Sequence, residues 1–150
     1  MDDTEILLNI WDFAGEKKFR LLLPSYVSGA SGALVLYDIT NKDSLEDLHN
    51  WIKVITSVPN SPKTKIMIGA KIDLENQREV KHEEAKDLFN KYKFQGEIIG
   101  VSSKTGENVE NVFEMLGRQI LKNSLKKCSN CNKYYPLELK YCQYCGQKTR

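Results

Sequence analysis

Two almost entirely apolar runs constrain the fold of this chain more than any other feature. GALVLYDI (32–39) and KIMIGA (65–70) lack the polar alternation of a half-exposed strand, which indicates strands that are buried on both faces. Apolar residues recur at helical spacing in the segments 43–57, 82–92 and 109–120. Strands that alternate with helices of this length predict an α/β fold, with a parallel sheet flanked by helices on both faces.

Two further runs, ILLNIW (6–11) and EIIGVS (97–102), are also predicted to be strands. In an open α/β sheet, functional side chains lie in the loops that follow the carboxyl ends of the strands. Four polar loops follow the predicted strands: DFAG (12–15), DIT (38–40), AKID (70–73) and SSK (102–104).

These loops and their flanking segments resemble those of the Ras and Rab type of small GTPase, in the P-loop GTPase superfamily. WDFAGEKKF is similar to WDTAGQERF of that family, and GAKIDL is similar to GNKIDL. VSSKTGENVENVFEML is similar to TSAKTGENVEEAFEML. The resemblance covers roughly residues 4–121, so it implies an incomplete small-GTPase sheet with a separate C-terminal tail.

The resemblance implies a phosphate and magnesium side of a nucleotide site. Asp12 matches the acid that holds Mg²⁺ through water, and Gly15 matches the glycine whose N–H meets the γ-phosphate. Glu16 stands at the position of the glutamine that orients the attacking water. The implied ligands are GTP and GDP with Mg²⁺, and the implied activity is slow GTP hydrolysis as a molecular switch.

The resemblance also implies a guanine side of the same site. Lys71 matches the lysine whose stem packs over the base. Asp73 matches the carboxylate that accepts hydrogen bonds from guanine N1–H and the 2-amino group, which adenine does not offer on that edge. Ser102, Ser103 and Lys104 match the loop whose N–H groups meet guanine O6.

Three departures from the family pattern predict impaired nucleotide binding. The sequence contains no G-x-x-x-x-G-K-[ST] phosphate loop, and 11 residues precede Asp12. Glu16 would face the γ-phosphate with like charge, and Ala70 replaces an asparagine with a side chain that cannot form hydrogen bonds. We therefore expect affinity several orders of magnitude below that of the family, unless the true start lies upstream. In the family, a first strand that this sequence does not contain runs through the middle of the sheet. Without that strand, the sheet must close the gap, borrow a strand from elsewhere or be marginally stable.

Four cysteines form two C-x2-C pairs, separated by ten residues: Cys128, Cys131, Cys142 and Cys145. Two such pairs can place four sulfurs around one ion, which predicts a Zn²⁺ site in a zinc ribbon. Two disulfides and a rubredoxin-like iron site are the alternatives, and the first is unfavourable in a reducing compartment. The run between the pairs, 132–141, predicts one β-hairpin. We expect metal binding to drive the folding of this tail.

The predicted domain boundaries are a GTPase-like domain at 1–121, a basic linker at 122–127 and the ribbon at 128–150. The segment 122–150 contains seven lysines and arginines against one acid, Glu138. Such a basic tail can attract nucleic acid, with its tyrosines as stacking candidates, or an anionic membrane. The lysines show no helical stripe, so we expect a solvated appendage whose tyrosines pack a small ribbon core: Tyr134, Tyr135, Tyr141 and Tyr144.

No apolar stretch reaches the roughly 18 residues that span a bilayer, the start lacks a signal-peptide pattern, and the end lacks a prenylation motif. The sequence therefore predicts a cytoplasmic protein, and the small-GTPase resemblance implies regulatory or effector proteins as partners. Two functions compete for the main domain. One is a GTP-binding switch, and the other is a nucleotide-free pseudo-GTPase that presents helix 43–57 and the ribbon to partners. Nucleic-acid binding by the ribbon is the third hypothesis and the least favoured.

Overall fold

A computed structural model of the chain describes residues 6–13 and 22–148. The first part of the fold alternates helices and strands: α1 (Leu23–Val27), β1 (Gly32–Asp38), α2 (Lys42–Ser57), β2 (Thr64–Ala70), a 3₁₀ segment (Ile72–Gln77) and α3 (His82–Lys91). The second part contains β3 (Ile99–Val101), α4 (Val109–Ser124), β4 (Leu125–Lys127) and β5 (Tyr134–Pro136).

Strands β1, β2 and β3 form a parallel sheet in that order. Gly32 lies opposite Thr64 and Asp38 opposite Ala70, so β1 and β2 pair along their whole length. The predicted α/β class and the parallel sheet are confirmed, although β3 is shorter than the predicted run 97–102.

Helices cover both faces of the sheet, as predicted. Val35 and Tyr37 point to the layer that contains α1, α2 and α3, where they pack with the apolar stripe of α2. Ile66 and Ile68 lie on the other face and pack against Val112 and Leu116 of α4. Strand β2 is thus buried on both faces, as its apolar run predicted. In β1 the prediction is wrong at Leu36, which is 53% exposed on the face opposite Val35 and Tyr37.

Helix α2 begins after Asn41, whose side-chain oxygen accepts a 3.0 Å hydrogen bond from the Asp43 N–H. That bond satisfies one of the N–H groups that a helix start leaves without an internal partner. The buried residues of α2 recur every three or four positions: Leu45, Leu48, Ile52 and Ile55.

The predicted strand at 6–11 is wrong. Residues 6–13 have no regular secondary structure, and Leu7, Ile10 and Trp11 are exposed. A strand needs a hydrogen-bonded neighbour, and within the described residues β1 pairs with β2 alone. Residues 6–11 therefore have the apolar pattern of a strand but no neighbouring strand in the described fold to pair with.

The segment 122–127, expected to be a basic linker, folds as the last residues of α4 and as strand β4. Strand β4 pairs antiparallel with β5, with Lys126 opposite Tyr135. The hairpin predicted within 132–141 is therefore wrong, because the partner of β5 precedes the first cysteine pair. In the second half of the tail, Tyr141 and Lys148 form an isolated antiparallel bridge.

Among the helices of the described residues, none combines the length and the hydrophobicity that crossing a bilayer requires.

Candidate nucleotide and metal sites

The parallel sheet places the carboxyl ends of its three strands at one edge. There, Lys71 follows β2 and donates from Nζ to Oδ2 of Asp38, the last residue of β1, at 2.6 Å. Lys71 has a left-handed backbone with φ of 67°, which turns the chain sharply out of the strand. The ion pair therefore joins two neighbouring strand ends.

Asp38 is held from a second direction as well. Its Oδ1 accepts a 2.8 Å hydrogen bond from the Thr40 N–H and a 2.7 Å bond from the Thr40 hydroxyl. Burial alone would raise the pKa of Asp38, but the hydrogen bonds from Lys71 and Thr40 outweigh it and lower that pKa. The same contact with Asp38 raises the pKa of Lys71. Asp38 is thus a carboxylate and Lys71 an ammonium at neutral pH.

Asp73 is tied to the end of β3. The hydroxyl of Ser102 donates to Oδ1 of Asp73 at 2.6 Å, and the Thr105 N–H donates to that hydroxyl at 3.1 Å. Ser102 is fully buried. A carboxylate has about four acceptor positions, so Asp73 retains capacity for two more donors in this arrangement.

The structure therefore brings Lys71, Asp73 and Ser102 to one edge of the sheet. Ser103 and Lys104 lie in the exposed turn that follows Ser102.

Asp12 belongs to the first described segment of the chain. It is exposed on the irregular segment 6–13, and within the described residues no hydrogen bond or ion pair joins it to Lys71 or Asp73. Its neighbour Phe13 packs edge-on against Tyr26 of α1, with ring centroids 5.5 Å apart. The two remaining predicted site residues, Gly15 and Glu16, lie outside the described residues.

Sequence reasoning missed two supports of this edge. Asp38 was noted as part of a strand-end loop, but its pairing with Lys71 needed the register of β1 against β2. Gly100 in β3 allows the loop after β2 to approach closely, since a Cβ there would lie 2.8 Å from Cγ2 of Ile72. Ile72 stands between Lys71 and Asp73, so this contact sets their height above the sheet.

The four tail sulfurs form a compact cluster, and all lie within 4.8 Å of one another. The Sγ atoms of Cys128 and Cys145 are 3.6 Å apart, as are those of Cys131 and Cys142. Four thiolates at about 2.3 Å from a tetrahedral zinc ion lie about 3.8 Å apart. The four cysteines are free thiols in this structure. The predicted gathering of the sulfurs is confirmed, and the geometry fits one ion.

The two cysteine pairs have the same backbone geometry. In each, the first cysteine donates its N–H at 2.9 Å to the carbonyl five residues later, Cys128 to Lys133 and Cys142 to Gln147. The fourth residue after that cysteine has a left-handed backbone in both pairs: Asn132 and Gly146. Asparagine and glycine are the residues that adopt this conformation most readily.

Backbone donors lower the pKa values of three of the four thiols, and the pKa of Cys131 is nevertheless raised. The Cys131 N–H lowers the pKa of Cys128, and the Gln147 N–H lowers the pKa of Cys145 to about 6. The Lys133 N–H lowers the pKa of Cys131, but burial and the adjacent sulfurs outweigh it and raise that pKa to about 12. Full ionisation of the cluster therefore needs a cation to compensate its charge.

Comparison with known proteins gives a consistent result. The Ras family model matches residues 1–122. GTP-binding protein ypt4 of Schizosaccharomyces pombe is 44% identical over 108 residues, covering 72% of this chain and 46% of that protein. Ras-related protein Rab-2B of Dictyostelium discoideum is 39% identical over 122 residues, which cover 81% of this chain and 59% of the relative. The chain thus spans about half the length of these relatives.

Proposed function

Since the chain belongs to the Ras family, we propose that it is a small GTP-binding protein of the Ras and Rab type. In this proposal, Lys71, Asp73 and the loop at 102–104 recognise guanine at the carboxyl ends of the strands, and the tail holds a structural zinc ion. The observation that carries the first part is the Asp73 carboxylate, positioned by the buried Ser102 hydroxyl beside Lys71.

Asp73 can select guanine over adenine. Its carboxylate accepts from guanine N1–H and the 2-amino group, whereas adenine has neither donor on that edge. The Lys71 stem would cover one face of the base while Asp38 holds its ammonium. Backbone N–H groups of Ser103 and Lys104 would donate to guanine O6, and Asp12 and Gly15 would serve the Mg²⁺ and phosphate side.

Titration of the chain with guanosine, GDP and GTP in the presence of Mg²⁺, followed by calorimetry, tests this proposal. We expect guanine ligands to bind and adenosine and ADP not to compete. Asp73→Asn removes an acceptor for two donors and should weaken binding about ten- to hundred-fold. Asp87→Asn, on the exposed surface of α3, is the matched control and should change nothing. Equal binding of ADP and GDP would contradict guanine recognition by Asp73.

The same titration measures the phosphate side. The sequence has no G-x-x-x-x-G-K-[ST] motif to bind the phosphates, so we expect contacts to the base to dominate the affinity. Guanosine and GDP should then bind with similar, weak affinity. GDP binding that exceeds guanosine binding by several orders of magnitude would contradict the predicted impairment.

A nucleotide-free interaction module is the second candidate. One feature favours it: Ala70 stands where the family has an asparagine, and its methyl provides no side-chain hydrogen bond to the loops. Under this proposal the protein binds regulatory or effector proteins through α2 and the ribbon. Absence of guanosine and GDP binding at millimolar concentration would favour this candidate over the first.

For the tail, we propose one zinc ion held by the four thiolates, which the sulfur spacing and the softness of zinc support. The ion would supply only fixed geometry, because four protein ligands leave no open position. We place the protein in the cytoplasm, where thiols stay reduced. Elemental analysis of the purified chain should give one zinc per molecule. One iron per molecule, or loss of four free thiols to disulfides, would contradict zinc.

A further inference from the structure

Three of the four tail tyrosines lie on the surface. Tyr135 is 1% exposed and packs with Cys128 and Cys142 in the core of the ribbon. The other three are 41%, 56% and 52% exposed: Tyr134, Tyr141 and Tyr144. The expectation that the tyrosines pack the ribbon core is therefore wrong for three of them. Three aromatic rings of this small module are therefore accessible to a ligand.

Each exposed tyrosine has a lysine beside it. Lys127 lies directly opposite Tyr134 in the β4–β5 pairing, and cross-strand partners project from the same face. Lys148 is the bridge partner of Tyr141. The ammonium of Lys133 lies 4.9 Å from the centroid of the Tyr144 ring. The three ring–lysine pairs are Tyr134 with Lys127, Tyr141 with Lys148, and Tyr144 with Lys133.

We propose that this ribbon binds single-stranded nucleic acid, with the three exposed rings stacking on bases and their partner lysines contacting phosphates. The pairing of a π-face with a cation matches the alternation of base and phosphate along an unpaired strand. Unpaired bases expose the faces that rings need, whereas bases in a duplex are stacked on one another. The proposal goes beyond nucleotide binding by the main domain and does not depend on it.

The charge of the tail favours this occupant. Residues 122–150 contain seven basic residues and one acid, and a zinc ion with four thiolates would remove about two units of charge, leaving the tail basic. An anionic membrane offers the same electrostatic attraction, but stable insertion is favoured by an apolar face that carries Trp, Phe or Leu side chains. In the described ribbon, the exposed large aliphatic side chain is that of Leu137. The other exposed large apolar side chains are tyrosine rings beside lysines, which favours binding of bases and phosphates over insertion among acyl chains.

The cation over Tyr144 does not use up that ring. An ammonium covers one face, and the residue remains 52% exposed. In the proposed complex, a base stacks on the open face of the Tyr144 ring. The Lys133 ammonium on the other face contacts a phosphate of the same nucleic-acid strand. The contact thus orders the side chain before a ligand arrives.

Fluorescence anisotropy of the zinc-loaded full chain with labelled twelve-nucleotide oligothymidylate and oligouridylate tests the proposal. We expect binding that falls with salt, with a log–log slope of about −2 for three phosphate contacts on a single strand. Lys133→Gln should reduce the magnitude of the slope by about 0.7. Lys86→Gln, on the exposed face of α3, is the matched control and should leave the slope unchanged.

Ring variants separate stacking from charge. Tyr141→Ala and Tyr144→Ala should each weaken binding about tenfold, whereas Tyr141→Phe and Tyr144→Phe should keep it. Zinc content of each variant verifies that the ribbon is still folded. Since these rings are exposed, we expect full zinc occupancy.

Three outcomes would overturn the proposal. The first is an abasic deoxyribose-phosphate oligomer that binds as tightly as oligothymidylate, because stacking would then contribute nothing. The second is binding to phosphatidylserine vesicles without binding to either oligonucleotide at 50 mM salt, which would make the ribbon a membrane contact. The third is alanine variants that bind as well as the parent chain.

Discussion

The Ser102 hydroxyl donates a 2.6 Å hydrogen bond to the Asp73 carboxylate and so joins the loop after β2 to the loop after β3. Ser102 is fully buried, whereas Asp73 is partly exposed. The buried residue therefore positions the one that can meet a ligand. Within this pair, Ser102 contributes to the stability of the fold, and Asp73 is the residue available for ligand recognition.

Ser102→Ala should destabilise the chain by about 1–3 kcal/mol, because it removes the donor to Asp73 and leaves the Thr105 N–H without its acceptor. Urea unfolding followed by circular dichroism measures the change. Ser103→Ala, at the next and exposed position, is the control and should stay within about 0.5 kcal/mol of the parent. Equal effects of the two substitutions would contradict a positioning role for Ser102.

Asp38→Asn should lower the urea midpoint by about 0.2–0.5 M near neutral pH, since an ion pair this open to solvent contributes little. The difference from the parent should depend on pH at both extremes. Asp38 has a lowered pKa in the fold, so its contribution is present above the unfolded value of 3.8 and is lost as pH falls through the folded value.

At the alkaline extreme the sign is opposite. Lys71 has a raised pKa, so its contribution is present below the unfolded value of 10.5 and is lost as pH rises through the folded value. Midpoints of the parent and Asp38→Asn should therefore differ most between about pH 5 and 9. A difference that persists unchanged at pH 2.5 would show that the ion pair is not its cause.

Gly100→Ala should destabilise the chain by about 1–3 kcal/mol, because the added Cβ would lie 2.8 Å from Cγ2 of Ile72. Displacement of Ile72 would also shift Lys71 and Asp73, so guanosine binding should weaken as well. Gly32→Ala meets the mobile ends of Leu116 and Ile120 on the other face of the sheet and serves as the control. It should affect stability without changing guanosine affinity.

Removal of metal by a chelator should unfold the ribbon and leave the three-stranded sheet intact. The ribbon core consists of Tyr135, Cys128 and Cys142 with a few partly buried neighbours, which is too little apolar burial to fold alone. Amide hydrogen exchange should show lost protection in 125–148 and retained protection in β1 and β2. Cys142→Ala should have the same effect without chelator. Unchanged protection in 125–148 would contradict a metal-dependent fold.

The sequence predicted best where local pattern and tertiary environment agree. The apolar runs predicted both strands, and β2 is buried on both faces as expected, whereas Leu36 of β1 is exposed. Helices α2 and α4 show helical spacing because each buries one apolar stripe. The cysteine spacing likewise indicated the sulfur cluster, because two short knuckles need no distant partner.

The failures share one physical cause, which is that pairing is not a property of a single segment. Residues 6–11 have a strand pattern but no neighbouring strand in the described fold. Strand β5 pairs with β4, a lysine-rich stretch whose composition indicated a linker. The Asp38–Lys71 contact likewise depends on strand register. The nucleotide roles of Asp73, Lys71 and the loop at 102–104 stay predictions that titration decides.

Helix α4 passes into β4 without an intervening loop, and the Leu137 N–H donates at 2.8 Å to the Ser124 carbonyl at this junction. One residue earlier, the Asn123 amide donates at 2.9 Å to the hydroxyl of Thr64, the first residue of β2. The tail is thus braced against the sheet rather than tethered to it. The ribbon therefore starts from a fixed point at one end of β2, whereas Lys71 and Asp73 follow the other end of the same strand.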